Sequence, residues 1–335
     1  MSSKTFTVPP ILGCLKAAEQ FILGNSLSKS VEWTPSSGKQ EAFLHDFVSR
    51  IKDIDSLGDV LKSIADRDPL VINRWLKDNG FDIQLSGNVS QDQFAVASIL
   101  DVLVEWIEKG RATTIRGRSG EYEAVYEAVR LSDQQGVSIY SGRKGWNPVA
   151  AIKTKGGERV FMTVSDDLSV TSKGFTGLID SHVVSMYPDA SYDSVVFPMV
   201  DYNKVVDVSW LCGLKTGDWG IGEALQQTKF RMNETGARVE SAVAMTLCRS
   251  LIAEQKKTLT IDRPFLLWIE REGCDFPLFA GFFEEDCWKN PNGLDERKAV
   301  AVNRPRKWFE KHAASEDSEV GAGMPYAGGS RTGLG

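Results

Sequence analysis

The sequence predicts an α+β fold, and three observations predict it. Apolar residues recur at helical spacing through much of the first half of the chain, over 11–23, 42–51, 57–76 and 91–107. From about residue 136 the apolar segments become short, β-branched or alternating, with Gly, Asp, Asn and Pro between them. Two late apolar segments, 264–270 and 276–283, flank Gly273 in the manner of a hairpin.

The elements follow in order. Helices are expected over 11–23, 42–51 and 57–76. A further helix is expected over 91–107, with Phe94, Ile99, Leu103 and Trp106 near one face, Ser90 as N-cap and Gln93 completing a capping box. Strands are expected over 136–140, 148–154, 159–164, 180–187 and 194–199, then a short helix over 205–214. Residues 226–233 alternate Phe230 and Met232 with polar side chains and read as a strand, followed by strands over 259–261, 264–270 and 276–283. Residues 304–314 read as an isolated or weakly docked helix. The polar, Gly-rich end lacks the apolar surface to offset ordering entropy. The expected organisation is one domain over 1–288 and a partly disordered extension over 289–335.

Composition narrows the function classes. The chain has 335 residues, of which 42% are hydrophobic and 25% charged, as in an ordinary globular protein. A net charge of -6 argues against generic nucleic-acid binding, which needs a basic face. No apolar run reaches a membrane span, and the first residues lack a signal-peptide core, so a cytoplasmic protein is expected, with secretion by another route left open. The five cysteines, Cys14, Cys212, Cys248, Cys274 and Cys287, show no metal-ligand or disulfide spacing and read as free thiols. His45, His182 and His312 are far apart and assemble no triad. The glycine-rich stretch 217–222 lacks the lysine and the strand-to-helix context of a phosphate loop. No enzyme, cofactor or metal site is expected.

One segment, 234–250, stands out. Ala237, Val239, Ser241, Val243, Met245 and Leu247 occupy every second position and are all apolar or small. Arg238, Glu240, Thr246 and Cys248 fall on the other parity. A strand would bury the first set and expose the second. Ala, Glu, Arg, Met and Leu also favour helix, so local pattern alone leaves both conformations open. Arg249-Ser250 follows at once and is a bond that a trypsin-like protease cuts.

The neighbouring segments resemble a known family. Phe230-Arg-Met-Asn-Glu-Thr-Gly236 is similar to the strand and hinge that precede a serpin reactive loop. Thr260-Ile-Asp-Arg-Pro-Phe-Leu-Leu-Trp-Ile-Glu270 resembles the strand that opens after that loop, and Pro277-Leu-Phe-Ala-Gly-Phe-Phe283 the family's final strand. Phe197-Pro-Met-Val200 and the stretch 208–214 resemble a Leu-Pro strand and its following helix, and 104–115 resembles a helix with an Asn-x-Trp-Val pattern. The resemblance implies a large mixed β-sheet, helices mainly in the N-terminal half and an exposed reactive loop.

It also implies a function. A serpin-like suicide inhibitor is cleaved at the reactive bond Arg249-Ser250, and the hinge 236–248 then inserts into the main sheet. Glu234, Gly236, Ala237, Val239, Ser241, Val243, Met245 and Leu247 are the implied hinge and insertion residues. Insertion demands that the inward side chains carry no charge, and the alternation meets that demand while leaving Arg238 and Glu240 outside. The hinge has no proline to remove a ladder donor. The implied partner is a trypsin-like protease whose pocket carboxylate pairs with the Arg249 guanidinium; a monomer is expected, without nucleic acid or membrane. A second reading is a non-inhibitory serpin-fold binding or structural protein that acts through its surface or C-terminal tail.

Overall fold

The computed structural model describes residues 3–24, 31–47, 54–86, 94–102, 104–117, 124–142, 146–165, 177, 179, 186–236, 257–291 and 294. Among the described residues, three α-helices with defined bounds lie in the N-terminal part of the chain, in keeping with the α+β reading. The first, α1 (Val8–Leu23), begins with prolines in its opening turn, where their missing N–H groups cost nothing, and ends at Gly24 with φ 54°. Its buried side chains, Val8, Ile11, Leu12, Leu15 and Ala18, follow helical spacing. Then come α2 (Gly38–Phe47) and α3 (Pro69–Asp78).

Two strands are interspersed with these helices. Strand β1 (Lys4–Phe6) precedes α1, and β2 (Leu61–Asp66) precedes α3. The helix expected over 57–76 is therefore a strand and a helix. Pro69 fixes the break: it disfavours helix at the residue before it, and the Asp68 Oδ1 accepts from the Leu70 N–H at 2.9 Å as a cap. The helix expected over 91–107 is corrected as well. Residues Ala95–Leu100 form β3, paired antiparallel with β2 along its whole length. Ala95, Ala97 and Ile99 are buried under Ile72, Leu76 and Phe81, a period of two that the short apolar run carries as well as a helical one. Ser90 and Gln93 lie outside the described residues.

The remaining strands are β4 (Arg111–Arg116), β5 (Val125–Ser132), β6 (Val137–Ser141), β7 (Val149–Lys153), β8 (Arg159–Val164), β9 (Tyr187–Pro188), β10 (Tyr192–Pro198), β11 (Val200–Val206), β12 (Lys215–Thr216), β13 (Trp219–Gly220), β14 (Gln226–Met232), β15 (Lys257–Thr260), β16 (Phe265–Glu270) and β17 (Phe279–Phe283). The expected helix over 205–214 is instead the end of β11 and a single 3-10 turn at Ser209–Leu211. The helix that resemblance suggested over 104–115 is an extended segment that leads into β4. The strand expected over 180–187 falls largely outside the described residues, as does the expected helix over 304–314.

The largest sheet has seven strands in the order β1-β17-β16-β8-β7-β6-β9, and each described pairing in it is antiparallel. Parallel pairing occurs, among the described residues, between β10 and β15 in a four-stranded sheet ordered β15-β10-β5-β4. The hairpin β16–β17 turns at Gly273, whose φ is 84°, and inserts between the N-terminal strand and β8. Both its faces are buried, which is why β16 and β17 read as continuous apolar runs. Phe265, Leu267, Phe279 and Phe283 enter the main core; Leu266, Trp268 and Ala280 enter a second one, where Trp268 stacks on Phe161 at 4.9 Å. Each such large side chain contributes about 1.5–3 kcal/mol by leaving water.

The β1–β17 edge of this sheet is held by a polar clasp. Ser3 Oγ donates to Asp286 and accepts from the Glu284 N–H (2.9 Å), while Lys204 Nζ donates to the other Asp286 oxygen at 2.6 Å. Burial works against the Asp286 charge, but hydrogen bonds from Lys204 and Ser3 outweigh it and hold its pKa below the ordinary 3.8. A depressed carboxyl pKa stabilises the fold fully above the ordinary value and loses that contribution as pH falls through the folded value. Asp286→Asn is therefore expected to flatten the loss of stability below about pH 4, as read by urea denaturation from about pH 5 to about pH 2. An unchanged slope would remove the clasp from the acid response. Cys287, beside it, is buried, and its thiol is pushed up to about 12, chiefly by burial. Among the described residues no helix is long and apolar enough to cross a membrane.

Candidate functional site

The segment that carries the sequence-predicted site joins β14 to β15. Arg249, Ser250 and the insertion residues Ala237, Val239, Ser241, Val243, Met245 and Leu247 lie outside the described residues; Glu234 and Gly236 lie within them. The structure thus defines the two ends of this connection.

At the upstream end, β14 pairs antiparallel with β11 from Val200↔Met232 to Val206↔Gln226. Its alternation points Thr228, Phe230 and Met232 inward, and Phe230 stacks on Phe279 (4.8 Å) and Phe283 (5.1 Å) of the large sheet. The strand then stops in a tight turn. Asn233 Oδ1 accepts from the N–H (2.9 Å) and the hydroxyl (2.6 Å) of Thr235. The Asn233 and Gly236 backbones bond each other, N–H to carbonyl, at 3.1 and 3.3 Å.

This turn is fastened to residues 104–110. The buried indole of Trp106 donates its Nε1–H to the Asn233 carbonyl (3.0 Å) and packs edge-on against Phe197. Gly110 N–H donates to the Glu234 carbonyl (2.7 Å), and Lys109 Nζ lies 3.4 Å from the Glu234 carboxylate. Gly236 forms a β-bridge with Glu105 and holds φ at 109°. A Cβ there would meet Trp106 N at 2.7 Å, Glu105 Cα at 2.8 Å and Val104 O at 2.8 Å. Glycine is thus required twice, by its dihedral and by the backbone that lies against it.

The 104–110 segment passes the fastening on to the large sheet. Trp106 bridges Thr154, and Glu105 O accepts from Lys155 N–H at 2.8 Å. This is the turn between β7 and β8, where the buried Glu158 accepts from Thr154 Oγ1 (2.9 Å) and from Arg271 (2.9 Å). Arg271 also holds Asp59 through a two-pronged contact at 2.9 and 3.0 Å, and this bond is the first cause that lowers the Asp59 pKa.

At the downstream end the chain is received by a different sheet. Lys257 N–H donates to Ser191 O at 2.8 Å, and β15 then runs parallel to β10, from Tyr192↔Lys257 to Val196↔Thr260. Asp189 sets the receiving turn: its oxygens accept from Ser191 N–H (3.0 Å), Ser191 Oγ (2.6 Å) and Ser141 Oγ (2.5 Å), and the Ser141 bond leads the causes that hold its pKa low. Arg130 reaches across to Ser194 and Thr258, both at 3.2 Å.

Sequence reasoning located Glu234 and Gly236 but missed their partners. Trp106 and Lys109 were assigned to a helix, and Glu158 and Arg271 drew no attention. Glu158 carries a recoverable signal, an acid between Gly157 and the apolar strand β8, although its partner lies 113 residues away. Among the described residues His45 pairs with its neighbour Asp46, at 2.9 Å on an exposed part of α2.

No family model matches the chain, and no curated protein matches it. Solved structures do. One is Serpin48, described as a highly specific serpin of the insect Tenebrio molitor: 12% identity, 82% of this chain, 96% of that one, TM-score 0.50. Another is the thermophilic serpin tengpin in its native state: 12% identity, 85% of this chain, 89% of that one, TM-score 0.52. At this identity the likeness concerns architecture, and it agrees with the strand order β14, connection, β15, β16, β17 that the sequence suggested: the chain has a serpin fold.

Proposed function

We propose that the protein is a serpin-like suicide inhibitor of a trypsin-like serine protease, cleaved at Arg249-Ser250. The observation that carries this reading is the separate anchoring of the two ends of the 237–256 connection: Gly236 against residues 104–110, and Lys257 against Ser191 on another sheet. An uncut connection is tethered at both ends. The protease serine attacks the Arg249 carbonyl, the Arg249-Ser250 bond breaks, and the acyl-enzyme forms. Cleavage frees the upstream limb from its downstream tether while leaving it fixed at Gly236. That limb can then add as a strand, with Ala237, Val239, Ser241, Val243, Met245 and Leu247 facing inward. The native state persists by a kinetic barrier until then. The reading includes an intracellular monomer whose domain spans 1–288, with 289–335 as an extension.

Incubation with trypsin followed by a denaturing gel tests it. The expected result is an SDS-stable adduct and a cleaved form that melts at a markedly higher temperature than the native one. Val239→Asp should turn the inhibitor into a substrate, with the native melting temperature nearly unchanged. Adduct yield that survives this change would exclude residue 239 from the insertion.

One observation favours the second reading, a non-inhibitory serpin-fold binding or structural protein. Among the described residues β14 pairs with β11 alone, in a two-stranded sheet. Simple tryptic cleavage, with no adduct and unchanged melting, decides for that reading.

A further inference from the structure

The chain carries two N-glycosylation sequons, Asn88-Val-Ser90 and Asn233-Glu-Thr235. The first lies outside the described residues. The second coincides with the turn that ends β14, and there motif and fold make opposite demands. A glycan acceptor needs its amide nitrogen open to a transferase and to the bulky sugar it receives, so working sequons sit on surface loops. Asn233 is 8% exposed.

Its side chain is also committed. Oδ1 accepts from the N–H (2.9 Å) and the hydroxyl (2.6 Å) of Thr235, so the two residues that define the sequon are bonded to each other. An amide is planar, and holding its oxygen in this way fixes the direction of its nitrogen. The backbone is held as well. The Asn233 carbonyl accepts from the buried Trp106 indole at 3.0 Å, and the Asn233 and Gly236 backbones bond each other. Gly236 in turn lies against the backbone of residues 104–106. Access to the Asn233 amide therefore requires local opening of the whole turn.

We propose that N-glycosylation of Asn233 and closure of the upstream anchor exclude each other, so that this sequon is a modification site that decides whether the 237–256 connection is fastened. The donor is an oligosaccharide carried on a lipid pyrophosphate. Transfer forms a bond between Asn233 Nδ2 and C1 of the first sugar and breaks the bond from C1 to the pyrophosphate oxygen. The lipid pyrophosphate leaves, and the displaced amide proton passes to a base of the transferase. On the folded chain the closed turn blocks this step. On a chain modified before the turn closes, the sugar needs space that the neighbours of a residue 8% exposed already fill, and 233–236 stays undocked. The native protein is made where this turn forms ahead of the transferase or out of its reach. The exclusion does not depend on protease inhibition.

The test uses the purified full chain with Asn88→Gln, a purified oligosaccharyltransferase and a chitobiosyl lipid-pyrophosphate donor, with sugar incorporation read by mass spectrometry. Trypsin isolates the site, since Arg231 and Arg238 bound the peptide Met-Asn-Glu-Thr-Gly-Ala-Arg, residues 232–238. That peptide, blocked at both ends, should be modified. The native chain should react at least about tenfold more slowly, because only its opened fraction reacts. Trp106→Phe removes the indole donor and should speed the reaction of the full chain about fivefold, the equivalent of one net hydrogen bond. Gly222→Ala, at a position with open space around it, should leave the rate unchanged. The modified Trp106→Phe product should melt below the unmodified variant. Equal rates for native chain and peptide overturn the proposal, as does a peptide that accepts no sugar. So do a Trp106→Phe rate equal to that of the parent, a similar gain in Gly222→Ala, and a modified product that melts like the unmodified one.

Discussion

Replacing Gly236 with alanine is expected to lower the stability of the native protein by about 2–4 kcal/mol. Two costs combine. A φ of 109° is one that L side chains rarely adopt, a strain of about 1–3 kcal/mol. The new Cβ also meets three backbone atoms of residues 104–106 at 2.7–2.8 Å, and backbone cannot rotate aside as a flexible side chain can. Relief requires the bridge between Gly236 and Glu105 to open, which also loosens the Trp106 bond to Asn233 and the Gly110 bond to Glu234. Faster tryptic cleavage of the connection should therefore accompany the loss in urea stability. Gly222→Ala is the matched control, since no atom lies within 4 Å of its built Cβ and its φ is ordinary. If both variants lose the same small amount, Gly236 is not an anchor.

Arg271→Met is expected to cost about 3–5 kcal/mol, nearly all of it through Glu158. The Asp59 arm contributes little, because Asp59 is 63% exposed and an exposed ion pair is worth at most about 1 kcal/mol. The Glu158 side chain is 4% exposed, so removing its cation leaves a charge in the protein interior that, among the described residues, keeps the Thr154 hydroxyl as its hydrogen-bond partner. The double variant Arg271→Met with Glu158→Gln should recover most of the loss, because it removes the stranded charge along with its partner. Urea denaturation of the two single variants and the double one measures this directly. Additive losses would show that the pair acts as two separate packing groups. The expected pattern also tests the connection from the β7–β8 turn to Trp106, since a loosened turn should weaken the Trp106–Thr154 bridge.

The parts of the fold that were legible in the sequence share one property, a pattern that is complete within a single segment. Strands β14, β16 and β17 show it: alternation in the first, continuous apolar runs in the others, with Gly273 between the last two. Helix α1 shows it through Val8, Ile11, Leu15 and Ala18. The misread stretches lack it. Ala95–Leu100 is short and apolar, compatible with either period, and becomes a strand because β2 supplies a ladder for it. Residues 61–66 were merged with α3 although Pro69 marks the break, so that signal was present and was outweighed by apolar spacing across it.

The candidate site divides in the same way. The sequence by itself determined the connection between β14 and β15: the strand that enters it, the alternating run from Ala237 to Leu247, the basic residue at Arg249, and Glu234 and Gly236 at its base. Local alternation and residue chemistry need no partner to be read. Only the tertiary structure decided what holds that connection. Trp106 meets Asn233 across 127 positions of chain, Arg271 meets Glu158 across 113, and Lys257 is received by a turn that Asp189 organises. Such contacts follow from how the sheets stack and pair. A glycine that could serve any turn becomes irreplaceable only once the backbone of residues 104–106 is laid against it.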